Sequence, residues 1–277
     1  MNEKVMIDIN QYRLYKGCLE FYDDLYLGKF QDKKSLNLLM KKSGALFIKQ
    51  VYDFDCTAET NFWYIIQDKF IEIDKFKSKN VKKQIRKSLS TYRYELVTPK
   101  EMHNVGYKIY CEAFLRYGKD KPDMDENMFH EYLDEAISRG VEYWIGYHVE
   151  DNLPAMFEAV LVQKDCVVEE MEKLSVYYTK NNPTYGLNYE LTRYYLKERG
   201  LKYIIAGSRS LTEHSNVQNF LIDKFEFRRA YCRIQLHYQM KIKIAIFLLK
   251  PLKKILKPFF PSSISSMLVL DNISNIK

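Results

Sequence analysis

The chain has 277 residues, enough for one large domain or two small ones with a real core. Its 47% apolar and 29% charged residues exclude a disordered chain or a mucin-like stalk, and a 15% aromatic share with 23 Tyr points to strands and a large binding surface. Lys and Arg exceed Asp and Glu by 43 to 36, a formal +7, which admits an anionic partner without demanding one.

Cysteines at 18, 56, 111, 166 and 232 are odd in number and lack any C-x-x-C spacing, so neither a disulfide framework nor a structural zinc site is expected. The first twenty residues have acidic side chains and no continuous apolar core, unlike a secretory signal, and no run reaches the roughly 18 apolar residues of a spanning helix. The expected location is cytoplasmic.

In chain order, the pattern predicts a helix over Lys33 to Lys42 stopped by Gly44, a strand over Ala45 to Val51, and a β-rich run over Phe62 to Ile66. Between Asp74 and Arg93 lie Lys75, Lys77, Lys79, Lys82, Lys83, Arg86 and Lys87. Ser78 caps a helix there whose apolar stripe is Val81, Ile85 and Leu89. This basic helix suits either a polyanion or plain solvation.

Thr98-Pro99-Lys100-Glu101 is a capping box leading into Val105, Ile109, Ala113 and Phe114. Asp123 with Glu126 repeats the device before Phe129, Leu133 and Ala136, and Arg139-Gly140 ends that helix. The period then changes to 2, predicting strands Glu142 to Val149, Ala155 to Gln163 and Val167 to Tyr178, joined by turns at Asp151-Asn152 and Lys164-Asp165. Asn181 to Gly186 is a breaker cluster, Leu187 to Arg199 a helix stopped by Gly200, and Tyr203 to Gly207 a strand buried on both faces. A short helix over Asn216 to Lys224 and a strand over Ala230 to Tyr238 complete an α+β layout with a mixed sheet. The strands before and after the Leu187 helix are expected to be parallel and to part at a crevice.

From Tyr92 to Tyr238 the chain resembles the GNAT superfamily of acyl-CoA-dependent acyltransferases, in its divergent branch of Fem-like peptidyltransferases and surface-polysaccharide acyltransferases. Leu174-Ser175-Val176-Tyr177-Tyr178, the loop ending in Gly186 and the helix from Leu187 are similar to that superfamily's strand, pyrophosphate loop and helix. Asn219 to Phe227 is similar to its later helix and Lys-x-Gly-Phe turn, with Glu226 in place of the glycine and Ile222 where a thiolate-protonating tyrosine is common. Leaving-group protonation must then come from elsewhere, or the donor is not a thioester.

The resemblance implies a GNAT-like mixed sheet flanked by helices over 92–240, an N-terminal α/β extension over 1–91 that is a candidate vestigial half, and a tail over 241–277. It implies acyl-CoA, acetyl-CoA foremost, as co-substrate and an amine acceptor such as an amino sugar of a surface-polysaccharide precursor, with no metal. Val176, Tyr178, Asn182, Tyr185, Gly186, Leu187, Asn188, Asn216, Asn219 and Lys224 are the matching cofactor positions. Helix amides starting near Leu187 would face the diphosphate, with Gly186 letting the backbone approach.

Acyl transfer to an amine needs a base and oxyanion donors. Glu170 and Glu172, two apart on one strand, share a face and are the candidate bases; Glu158 on the neighbouring strand is a third carboxylate for the same cleft. Ser208 is a candidate oxyanion donor, Arg209 an anion clamp, and His214 a further catalytic candidate. Each also fits an ordinary surface strand or turn. The remaining histidines lack metal-ligand spacing, and no nucleophile elbow or Walker loop is present. The tail from Lys241 to Leu256 interleaves apolar residues with Lys and is expected to be broken at Pro251 and Pro258, suiting either a membrane surface or the domain's own core. Aminoacyl transfer from charged tRNA and a non-catalytic binding module are the alternative functions.

Overall fold

The computed structural model describes residues 12–15, 17–21, 32–116, 122–209, 217–256 and 262–275. The elements in order are β1 (Tyr12–Tyr15), β2 (Cys18–Phe21), α1 (Lys33–Ser43), β3 (Phe47–Tyr52), β4 (Phe62–Gln67), α2 (Lys79–Thr91), β5 (Tyr92–Val97), α3 (Pro99–Leu115) and α4 (Glu126–Ser138). There follow β6 (Val141–His148), β7 (Pro154–Val162), β8 (Cys166–Leu174), α5 (Pro183–Thr192), β9 (Tyr203–Ser208), α6 (Val217–Phe225), β10 (Arg228–Tyr238), α7 (Met240–Leu256) and α8 (Ser262–Asn275). This is an α+β fold with a mixed sheet.

Two compact units divide the chain. One comprises Met1–Tyr64, Ser208–Ser215 and Arg229–Lys277; the other comprises Ile65–Gly207 and Asn216–Arg228. Both are discontinuous in sequence, so residues 65–91 group with the strands that follow them and 229–240 group with the N-terminal segment.

In the first unit β1 and β2 form an antiparallel pair, β2 runs parallel to β3, and β3 pairs antiparallel with β10. The Asp32 side chain caps α1, and Gly44 ends it at φ 70°, a left-handed turn that glycine adopts without a Cβ penalty. Leu36, Leu39 and Met40 of α1 pack on Leu19 and Ile48 as a small core. Helix α7 continues through Pro251, where a break was expected. Proline there has no N–H to offer the carbonyl of residue 247. Phe259, Phe260 and Pro258 lie outside the described residues.

In the second unit the strands run β9-β8-β7-β6-β5, antiparallel except for β8 and β9. One sheet face is covered by α3 and α4, with Phe129 against Phe157 at 6.2 Å between ring centroids. On the other, Trp144 meets Tyr195, just beyond α5, in an edge contact at 6.2 Å. Phe129, Phe157 and Tyr195 are fully buried, each contributing about 2–3 kcal/mol of apolar transfer free energy. The Thr98 capping box forms as expected, but α4 is capped by Asp125 and not Asp123, because the Asp125 carboxylate accepts from Met128 N–H at 2.9 Å.

Three further departures shape the site. In α2 the third buried position is Ser88, with Leu89 only half-buried. Strand β8 ends at Leu174, where Ser175 starts a 3-10 turn over Val176–Tyr178 and bends the chain out of the sheet. Helix α5 begins at Pro183, four residues before Leu187, because Asn182 takes a left-handed conformation at φ 49° and proline suits the first helical position; its continuation over Arg193–Glu198 is π-helical.

Candidate functional site

Parallel pairing of β8 with β9 lasts for three residue pairs, ending at Val168 and Ile205. Beyond that point β8 stays with β7 while β9 parts from it, as expected from the strand order. A cavity of about 830 Å³ opens there, lined by Glu169 to Glu172 of β8, Glu158 of β7, Ala206 and Gly207 of β9, the start of α5, and α6.

The β7–β8 register shifts between Ala159 and Val160: Ala159 pairs with Met171 but Val160 pairs with Glu169, leaving Glu170 as a bulge. A bulge reverses the alternation of side chains. Glu170 and Glu172 therefore do not share a face as the period of 2 predicted. Glu169 takes that place, since Glu169 and Glu172 lie opposite Val160 and Glu158, two residues on one side of β7. Trp144, Glu158 and Glu172 form a row across three strands on the α5 side. The displaced Glu170 is held by a two-pronged contact with Arg139 at 3.1 and 3.2 Å.

Glu158 is 2% exposed and accepts no hydrogen bond among the described residues. Burial raises its pKa well above the usual carboxylate value, and repulsion from Glu169 and Glu172 adds to this against the nearby Lys173. Burial, then the charge of Glu172, pushes Glu169 up to about 8. Glu172 is exposed to the cavity, but the protein around that recess limits its hydration and raises its pKa; a hydrogen bond from Thr184, Lys173 and Arg116 at the rim oppose the rise. The charges on Glu169 and Glu172 thus add to the rise at Glu158, and that of Glu172 to the rise at Glu169.

The start of α5 meets the cavity. Asn182 lines it, with its amide donating to Gln84 Oε1 at 3.0 Å, and so do Pro183, Thr184, Tyr185 and Asn188. Asn188 is 4% exposed; its amide donates to the Thr184 carbonyl, while its Oδ1 is buried with no partner. Gly186 lies within the helix and not in the loop. Its N–H donates to Ser88 Oγ at 3.0 Å, and a Cβ there would stand 2.6 Å from the Tyr94 hydroxyl and 2.7 Å from Ser88 Oγ. Glycine is needed for this close helix contact, not for approach of a ligand. Tyr185 N–H is taken by the Asn182 carbonyl, leaving Thr184 as the first-turn amide outside these contacts.

The remaining expected residues divide. Asn219 and Lys224 of α6 line the cavity. Leu187 is buried inside α5. Val176 and Tyr178 lie on the 3-10 turn away from the lining, with the Tyr178 hydroxyl on Asp151 at 3.0 Å. Ser208 ends β9, and Arg209 stacks on Trp63 in the first unit at 4.7 Å from the ring centroid. His214 and Asn216 lie outside the described residues. Glu226 takes φ 58°, the left-handed conformation that the glycine of the resembled turn favours. Sequence reasoning missed Glu169, Thr184 and Arg116; for α5 the available signal was a serine at a buried stripe position of α2, Ser88.

No protein-family model and no curated protein matches the sequence. Among solved structures the fold is similar to FemX, at 10% identity and a TM-score of 0.53, over 86% of this chain and 82% of that one. It is also similar to the C-terminal domain of a protein named as a lysylphosphatidylglycerol synthetase from Agrobacterium fabrum, at 12% identity and a TM-score of 0.51, over 87% and 83%. The likeness to these two structures is one of fold.

Proposed function

We propose that the protein transfers an acyl group to an amine nitrogen held in the cavity between β8 and β9. The observation that supports this most is the cluster of Glu158, Glu169 and Glu172, whose proton affinities are all raised by burial, the direction that makes a carboxylate a stronger base. Glu172 is the exposed member and takes the proton from the amine. The nitrogen lone pair attacks the acyl carbon, the C–N bond forms, and the bond to the donor's sulfur or oxygen breaks. Tyr185 lines the cavity in place of a tyrosine at Ile222, and burial keeps its phenol protonated, so it supplies the proton to the leaving group.

The donor in this reading is an acyl-CoA, acetyl-CoA foremost, with its diphosphate near Thr184, Asn219 and Lys224, and an amino sugar is a candidate acceptor. Aminoacyl transfer from charged tRNA is the second reading. It is favoured by two observations: the Gly186 and Tyr185 amides are spent within the protein, and Lys79, Lys83 and Lys87 lie exposed at i, i+4, i+8 along α2. Calorimetry with acetyl-CoA and filter retention of charged tRNA separate the donors. With the binding donor, Glu172→Gln is expected to lower kcat by 10²-fold or more while donor affinity stays unchanged; unchanged turnover removes Glu172 as the base.

The same proposal places the protein on the inner membrane face through α7. Phe247 is 78% exposed, and Met240, Ile244 and Leu248 are exposed with it beside Lys241 and Lys243, while Ile246 is buried in its own unit. Among the described residues no helix is long and apolar enough to cross a membrane.

A further inference from the structure

Trp63 of β4 is flanked by two guanidinium groups. Arg209 lies 4.7 Å and Arg229 4.9 Å from the indole centroid, so the two cations lie no further apart than the sum of those distances. Arg209 is fixed twice: its N–H donates to the Trp63 carbonyl at 2.8 Å, and its Nη1 donates to the Asn61 carbonyl. Tyr231 of β10 meets the Trp63 ring edge-on at 6.2 Å. All these residues belong to the first unit.

Both guanidinium groups lie against the one indole ring, with no carboxylate partner for either among the described residues. Stacking on an aromatic face leaves the in-plane N–H groups of a guanidinium pointing outward, the geometry suited to a phosphate. Arg229 is exposed and makes no hydrogen bond among the described residues, and Trp63 Nε1 is buried without an acceptor. The cluster is thus rich in unspent donors and positive charge, and an anion would relieve the repulsion between the two arginines.

We propose that Arg209, Arg229 and Trp63 form a binding site for a phosphate group, borne by a soluble phosphate ester or by a phospholipid headgroup. The site is independent of the reaction assigned to the cavity. It is tested on the full chain with Trp144→Phe, which leaves Trp63 as the sole indole reporter of the two tryptophans. Its fluorescence is titrated with inorganic pyrophosphate and, separately, with water-soluble dihexanoyl phosphatidylglycerol, against chloride at matched ionic strength.

A saturable change with pyrophosphate alone supports a soluble phosphate ester; a tighter response to the short-chain lipid supports a headgroup. In either case Arg229→Gln and Arg209→Gln should each weaken binding about tenfold or more, and Arg229→Lys should restore only part of it, because an ammonium lacks the planar fork. Circular dichroism confirms that each variant is folded. The proposal is overturned by no saturable response, by an equal response to chloride, by affinity unchanged in folded Arg229→Gln, or by retention of RNA without a pyrophosphate response, which would reassign the cluster to nucleic acid.

Discussion

The Thr184 hydroxyl donates to Glu172 Oε1 across 3.2 Å, joining the first turn of α5 to the strand wall of the cavity. That bond stabilises the carboxylate and opposes the rise in its pKa caused by burial. Thr184→Val removes it while keeping the branched shape. The base then holds its proton to higher pH, so the rising limb of the activity profile should move alkaline by about half a unit to one unit, for a bond worth roughly 1 kcal/mol. A profile that stays in place shows that Glu172 does not set the limb.

Glu169 makes stability depend on pH. Its folded pKa of about 8 lies above the unfolded carboxylate value, so the folded state binds the extra proton between the two. Its stabilisation is complete below the unfolded value and is lost as pH rises through about 8. Glu169→Gln is neutral throughout and should flatten the fall in Tm between pH 5 and 8.5. It should gain on the order of 1–2 kcal/mol at the upper end, a few degrees of Tm. The slope that remains includes Glu158 and Glu172, whose proton affinities are also raised, and His237, whose proton affinity is lowered by burial. Thermal unfolding at both pH values checks this.

Gly186→Ala sets two effects against each other. Helix propensity favours alanine by about 1 kcal/mol. The new methyl, however, enters the space held by the Tyr94 ring and Ser88 Oγ, where overpacking costs about 1–3 kcal/mol and the Gly186 N–H bond to Ser88 is displaced as well. The net expectation is destabilisation by about 1–2 kcal/mol, read as a fall in denaturation midpoint; a gain in stability would show that α2 and α5 separate without cost.

Replacing Phe247 and Leu248 by glutamate reverses the character of the exposed face of α7 without touching the buried Ile246. Retention on vesicles containing phosphatidylglycerol should fall at least tenfold, and wild-type retention should fall with salt as the lysine contribution is screened. Equal retention of the variant removes α7 as the membrane contact.

Much of this architecture was readable because its signals are local. The Thr98 box, the Gly44 stop and the short turns between β6, β7 and β8 depend on neighbouring residues alone. The bulge at Glu170 was not readable: no residue type demands it, and it arises from matching β8 to β7 while Glu170 reaches Arg139. The start of α5 was misplaced because Asn182 and Pro183 look like a breaker, whereas a left-handed cap followed by proline is also how a helix begins. The cavity and its carboxylates Glu158, Glu170 and Glu172 were foreseen from strand order and period, but the joining of Glu169 to them needed the bulge, and the discontinuous units needed β10 to return beside β3, a pairing between distant parts of the chain.

Tyr94 belongs to β5, which is hydrogen-bonded to β6 alone, yet its hydroxyl donates to the Pro183 carbonyl at 2.6 Å and meets Ser88 Oγ at 2.7 Å. A rim strand has half the ladder of an interior one, so it is the first to fray. Each opening of β5 withdraws the phenol and loosens the opening turn of α5 with it. Hydrogen exchange at the Gly186 amide should therefore follow that of β5 across temperature, making the mouth of the cavity only as rigid as the sheet's outermost edge.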